Sequence, residues 1–76
     1  MSTLLTELNE KRYGKIISIE GSQRFLDRAG AMGLTPNTEI QMVQNKKRQP
    51  ILVYARDTLI ALNRKESKGI MVKGVE

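Results

Sequence analysis

Gly30-Ala31-Met32-Gly33-Leu34-Thr35-Pro36-Asn37-Thr38-Glu39-Ile40 opens the run that decides the fold. It continues as Gln41-Met42-Val43, a basic loop, Pro50-Ile51-Leu52-Val53-Tyr54-Ala55 and Thr58-Leu59-Ile60-Ala61-Leu62. Gly33 is a natural left-handed helix stop, and Pro36 prevents the helix from resuming. Pro36-Asn37-Thr38 makes a turn, with Asn37 able to take positive φ. Past that point polar and apolar residues alternate, which places Ile40 and Met42 on one face of a strand. Ile51, Val53 and Ala55 share a face of the next strand, and Arg56-Asp57 fits a two-residue hairpin turn.

Upstream, Ser22 is placed to cap a helix, and Phe25, Leu26, Ala29 and Met32 form its apolar face. Phe25 and Met32 are read as core. Arg24, Asp27 and Arg28 lie on or beside the opposite face, and Asp27 cannot serve both arginines equally. Gly30 either permits a close backbone approach or loosens the last turn. Before the helix, Lys15-Ile16-Ile17-Ser18-Ile19-Glu20 has the β-branched density of a strand. Leu4, Leu5 and Leu8 read as a helical turn or as an extended lead-in that seals one end of the core. Asn63 to Lys68 is a polar turn with room for one helical turn, and Gly69-Ile70-Met71-Val72-Lys73 closes the chain as a strand with Ile70 and Val72 inward. About five short strands and one helix suggest a small barrel or sandwich, and a barrel would remove exposed sheet edges.

The 76 residues fit one domain with a thin stability margin. There is no Cys and no His, which removes disulfides, thiol chemistry and the commonest general base and metal ligand. Any metal would have to use carboxylates, carbonyls or water, so no metal site and no cofactor are expected. The acidic residues are scattered without a paired-carboxylate spacing. Gly30-x-x-Gly33 lacks the length and the Lys-Ser/Thr of a phosphate loop. An enzyme is not expected. No apolar run approaches the ~20 residues that span a bilayer, and Met1 to Leu8 lacks the features of a signal peptide. A cytoplasmic protein without direct membrane insertion is expected.

Thirteen Lys and Arg against eight Asp and Glu give +5. Lys46-Lys47-Arg48 is the densest run; it either docks an acidic surface or phosphate backbone, or is a solvated loop that discourages aggregation. Arg24, Arg28 and Arg56 are candidates for one basic face. Tyr54 falls out of phase with inward Ile51 and is a candidate interface anchor or a half-buried barrel residue. Nucleic-acid binding by a small barrel usually adds stacking aromatics to basic charge, and only Tyr13, Tyr54 and Phe25 are available, which weakens that reading.

In order, Leu5-x-x-Leu8, Gly14-x-Ile16-x-x-Ile19, the Arg24–Met32 helix, Gly33-Leu34-Thr35-Pro36-Asn37, Pro50-Ile51-Leu52-Val53, Ile60-Ala61-Leu62 and Ile70-Met71-Val72 resemble the FeoA domain family. Asn37, Lys11 and Asp57 stand in turns where that family often has Gly. The resemblance implies an SH3-like barrel of about five strands with one short helix after the first strand. It implies a non-enzymatic accessory role in ferrous iron uptake, with FeoB, a membrane transporter carrying a cytoplasmic GTPase domain, as partner. Lys46, Lys47, Arg48, Arg24, Arg28 and Tyr54 are the candidate contact residues. Two alternatives stay open: a nucleic-acid-binding barrel, and a regulatory module like that of some metal-dependent repressors.

Overall fold

A computed structural model describes residues 2–75. Its elements are β1 (Ser2–Leu4), a 3-10 turn (Leu5–Glu7), β2 (Tyr13–Ile19), α1 (Gln23–Ala31), β3 (Glu39–Gln44), β4 (Ile51–Ala55), β5 (Thr58–Leu62), α2 (Arg64–Ser67) and β6 (Ile70–Val75). The six strands form one antiparallel sheet in the order β1-β6-β2-β3-β4-β5.

This corrects two expectations. The described residues form six strands rather than five, because the lead-in Ser2–Leu4 pairs with β6, so α1 follows the second strand rather than the first. Three residues are too short to show a period of two. The ladder is also not closed: β1 and β5 are its two edges. A helical turn follows each edge strand directly, the 3-10 turn after β1 and α2 after β5, and these turns contact each other. The chain leaves the sheet at the end of each edge strand, and β1 and β5 do not pair.

The curl of the sheet comes from two register shifts, between Ile16 and Ser18 on β2 and between Met42 and Gln44 on β3. A bulge adds a residue to one strand and bends it. The middle residues, Ile17 and Val43, turn outward as a result. The concave side carries the expected Ile40, Met42, Ile51, Val53, Ala55, Ile70 and Val72, all buried, and with them Ile16, Ile60 and Leu62. Leu5 and Leu8 close one end, Phe25 and Ala29 of α1 cover another, and Met32 packs against the cluster.

Helix α1 begins where Ser22 Oγ accepts from the Phe25 N–H at 3.1 Å. It ends in a Schellman arrangement around Gly33 at φ 87°, with Leu34 N donating to Ala29 O and Gly33 N to Gly30 O. Of the two roles read for Gly30, close approach is excluded, since a Cβ there would meet nothing within 4 Å. The close approach lies at Gly69, where a Cβ would stand 1.9 Å from Glu20 O. Asn37 takes positive φ as read, and both hairpin residues do so, Arg56 at 50° and Asp57 at 61°. That is the turn whose twist matches the flanking strands.

Candidate functional site

The β3–β4 loop presents Lys46, Lys47 and Arg48, all exposed. It is not a free loop. Asn45, at its base, donates from Nδ2 to Thr6 O at 2.9 Å and to Leu8 O at 2.8 Å. The Asn45 N–H donates to Glu10 Oε2 at 2.8 Å, and Asn45 Oδ1 accepts from Arg64 Nη2 at 3.0 Å. Arg64 Nη2 also donates to Lys46 O. One amide side chain therefore ties together the N-terminal lead-in, the end of β3 and α2. The three cations stand on a backbone held from both sides, with Arg48 at φ 64° fixing the tip.

Arg28 is not part of a free basic face. Its guanidinium pairs with Glu66 of α2 and stands 5.6 Å from the centre of the Phe25 ring. The Glu66 carboxylate offsets its charge. Asp27 is engaged with neither arginine and accepts from Gln23 Nε2 at 2.8 Å. Arg24, one turn before Arg28, is exposed. Arg56 lies at the other end of the sheet and donates from Nε to Gly33 O at 3.1 Å. The candidate arginines thus do not converge: Arg28 is joined to the basic loop through Glu66 and Arg64 of α2, and Arg56 is tied to the end of α1.

Tyr54 faces outward and is 44% exposed, as its phase requires. It sits about 10 Å along β4 from the loop end at Ile51, at 3.3 Å per residue. The structure therefore separates Tyr54 from Lys46–Arg48. Its neighbours are different. Tyr13 pairs with Gln41, Gln41 with Tyr54, and Tyr54 with Leu59, a row across four strands on the outer face. Tyr13 and Tyr54 border a shallow pocket of about 290 Å³ that also involves Gln41, Arg56 and two acidic residues, Glu39 and Asp57.

Three participants escaped the sequence: Asn45, Arg64 and Tyr13 as a partner of Tyr54. Asn45 and Arg64 sit in polar turns, and nothing local marks them, because their partners lie far away along the chain. The tyrosine row could be found only by knowing that β3 lies between β2 and β4. Among the described residues, no group of three or more His, Cys, Asp or Glu side chains gathers where it could hold a metal ion. No helix there is long and apolar enough to cross a membrane.

A model of the FeoA domain matches residues 3–74. No curated protein matches the sequence significantly. Among solved structures, an iron uptake regulatory protein, FeoA, superposes with a TM-score of 0.90 at 24% identity, over 99% of this chain and 100% of that one. The zinc complex of FeoA from Stenotrophomonas maltophilia gives 0.78 at 24% identity, over 96% and 89% of the two chains. That protein is described as a prokaryotic SH3 domain protein and a candidate activating factor of bacterial ferrous iron transport. A manganese-dependent transcriptional repressor carries the same fold in 42% of its length, at a TM-score of 0.89 and 13% identity over 97% of this chain. These identities speak to the fold, and the family model, which spans nearly the whole chain, settles the family: the protein belongs to the FeoA domain family.

Proposed function

We propose that this chain is a non-enzymatic accessory protein of bacterial ferrous iron uptake, working in the cytoplasm as a single module. Its partner in this reading is the cytoplasmic GTPase domain, or another cytoplasmic face, of a FeoB-type transporter. Family membership and the description of the Stenotrophomonas relative support the iron-uptake role. The observation that carries a docking mechanism is the Lys46–Arg48 loop, whose base is fixed by Asn45 and Arg64. A cationic loop held in one conformation loses little entropy on binding, so its charge contributes to association rather than to ordering. An accessory domain of this kind changes its partner by binding two of the partner's states unequally.

The test is a titration of isotope-labelled protein with the FeoB GTPase domain, followed amide by amide. Shifts centred on residues 44–50 are expected, with affinity falling steeply as salt is raised. A variant carrying Lys46→Glu, Lys47→Glu and Arg48→Glu should lose at least about tenfold in affinity, the effect of replacing favourable steering by repulsion. Unchanged binding by that variant would remove the loop from the mechanism.

A second reading rests on the tyrosine row. Two exposed aromatics flanking a pocket beside Arg56 resemble a stacking platform for single-stranded nucleic acid. Unchanged mobility of labelled single-stranded DNA and RNA in a low-salt gel shift would dispose of it.

A further inference from the structure

The sheet is open, and its two edges are unlike. Edge strand β1 has three residues. Edge strand β5 has five, Thr58-Leu59-Ile60-Ala61-Leu62, with no charge, no Pro and no bulge. Natural proteins usually blunt such an edge with Lys, Pro, a bulge or a covering segment. The register says which backbone groups are free. The two-residue Arg56-Asp57 turn makes Ala55 and Thr58 the first hydrogen-bonded pair, so Val53 with Ile60 and Ile51 with Leu62 are bonded in turn. Leu59 and Ala61 therefore direct their N–H and C=O groups away from β4. Among the described residues no further strand lies beyond β5, and no other backbone group bonds these two.

A groove of about 490 Å³ lies beside the far end of this edge, between Pro50, Ala61 and Leu62, with Arg48 and Arg64 at its rim. Among the described residues the one ion pair is Arg28 with Glu66, so neither rim arginine has a carboxylate within 4 Å. Arg64 is half-buried, and its Nε is buried with no acceptor. An apolar groove next to an uncompensated, partly desolvated guanidinium favours an occupant that is apolar and anionic together.

We propose that β5 accepts an extended segment of a partner protein as a seventh strand. That segment carries an apolar side chain for the Pro50–Leu62 groove beside a carboxylate for Arg48 and Arg64. Strand addition takes its affinity from main-chain bonds and its specificity from alternate side chains. The inference deepens the docking role proposed above and rests on it for its biological setting, but not for its chemistry. A second copy of this chain is a poor occupant. Antiparallel pairing of β5 with β5 sets the Arg48–Arg64 end against Arg56-Asp57, which is neutral and supplies no excess carboxylate.

The probes are a terminally blocked six-residue peptide alternating valine and glutamate, and its valine–lysine counterpart. Each is titrated into labelled full-length protein, with sedimentation run in parallel. The glutamate peptide should shift the amides of residues 58–62, Arg48 and Arg64, and slow hydrogen exchange at Leu59 and Ala61. Ala61→Pro removes a donor from the free edge without touching a bond to β4, and should weaken binding about tenfold, the worth of one well-made hydrogen bond. Arg48→Glu, which does not depend on how the strand tolerates proline, should weaken it by a similar factor. Absence of shifts at millimolar glutamate peptide overturns the proposal, as does equal binding of the lysine peptide. Self-association that Ala61→Pro abolishes also overturns it, by giving the edge to a second copy. Peptide binding without FeoB binding would overturn the transporter reading and leave this one standing. FeoB binding confined to the Lys46–Arg48 loop, with no peptide binding, would do the reverse.

Discussion

Asn45→Ala tests the support of the basic loop most directly. The side chain makes three hydrogen bonds: two donated to the carbonyls of Thr6 and Leu8, and one accepted from Arg64. Each is worth about 1 kcal/mol net, and the carbonyls left behind are part-buried. Water reaches the site in part, so the sum is discounted to about 2–3 kcal/mol. The whole chain, by size, has a stability of roughly 4–11 kcal/mol. A Tm fall of roughly 10–20 °C follows, at about 4–8 °C per kcal/mol for a domain of this length. Urea unfolding followed by far-ultraviolet circular dichroism measures it directly. Asn45→Asp separates the bonds. It keeps the acceptor for Arg64 and makes it a carboxylate, but faces the Thr6 and Leu8 carbonyls with an oxygen. It should therefore also be destabilising, despite its improved contact with Arg64. A loss below about 0.5 kcal/mol for Asn45→Ala, the noise of a surface substitution, refutes the reasoning. A neutral Asn45→Asp would show that the two donated bonds do not matter.

Other substitutions follow from the same geometry. Gly69→Ala would place a methyl group 1.9 Å from Glu20 O, against the bond from Glu20 N to Gly69 O; a loss of about 2–4 kcal/mol is expected by chemical denaturation, since backbone must move. Gly33→Ala combines positive φ with a Cβ 2.6 Å from Arg56 Cδ, which can swing away; about 1–2 kcal/mol is expected for the backbone alone, and Arg56→Ala should relieve none of it. Lys11, at φ 74°, is the converse case, and Lys11→Gly should raise Tm slightly, by up to about 1 kcal/mol of stability. Arg28→Ala breaks an ion pair in which the arginine side chain is 49% exposed, and should cost under about 1 kcal/mol in a thermal melt.

How far the sequence can be read depends on the range of the signal. The strands with inward Ile40, Met42, Ile51, Val53, Ile70 and Val72 are legible because a period of two needs only five residues to declare itself. Helix α1 is legible because Ser22, the Phe25–Ala29 spacing and Gly33 mark its start, face and end. The edge state of β1 and β5 is not legible. It depends on which strands meet, and Ser2 meets Lys73. The site divides in the same way. Outward Tyr54 follows from phase, but its row with Tyr13 follows from topology. The loop charges are visible, whereas their support by Asn45 and Arg64 spans chain separations that no local pattern encodes. The basic face of arginines dissolves for a similar reason: Arg28 finds its carboxylate on α2, 38 residues away.

Strand β6 lies between β1 and β2. Along the chain it follows the other five, so during synthesis β1 and β2 wait without the neighbour that joins them. The β2-β3-β4-β5 ladders can form before it, but β1 has no partner in the sheet until Ile70–Val75 leaves the ribosome. Completion of the sheet is thus set by the arrival of a single short segment, and the nascent chain presents an unpaired edge along β2 until then.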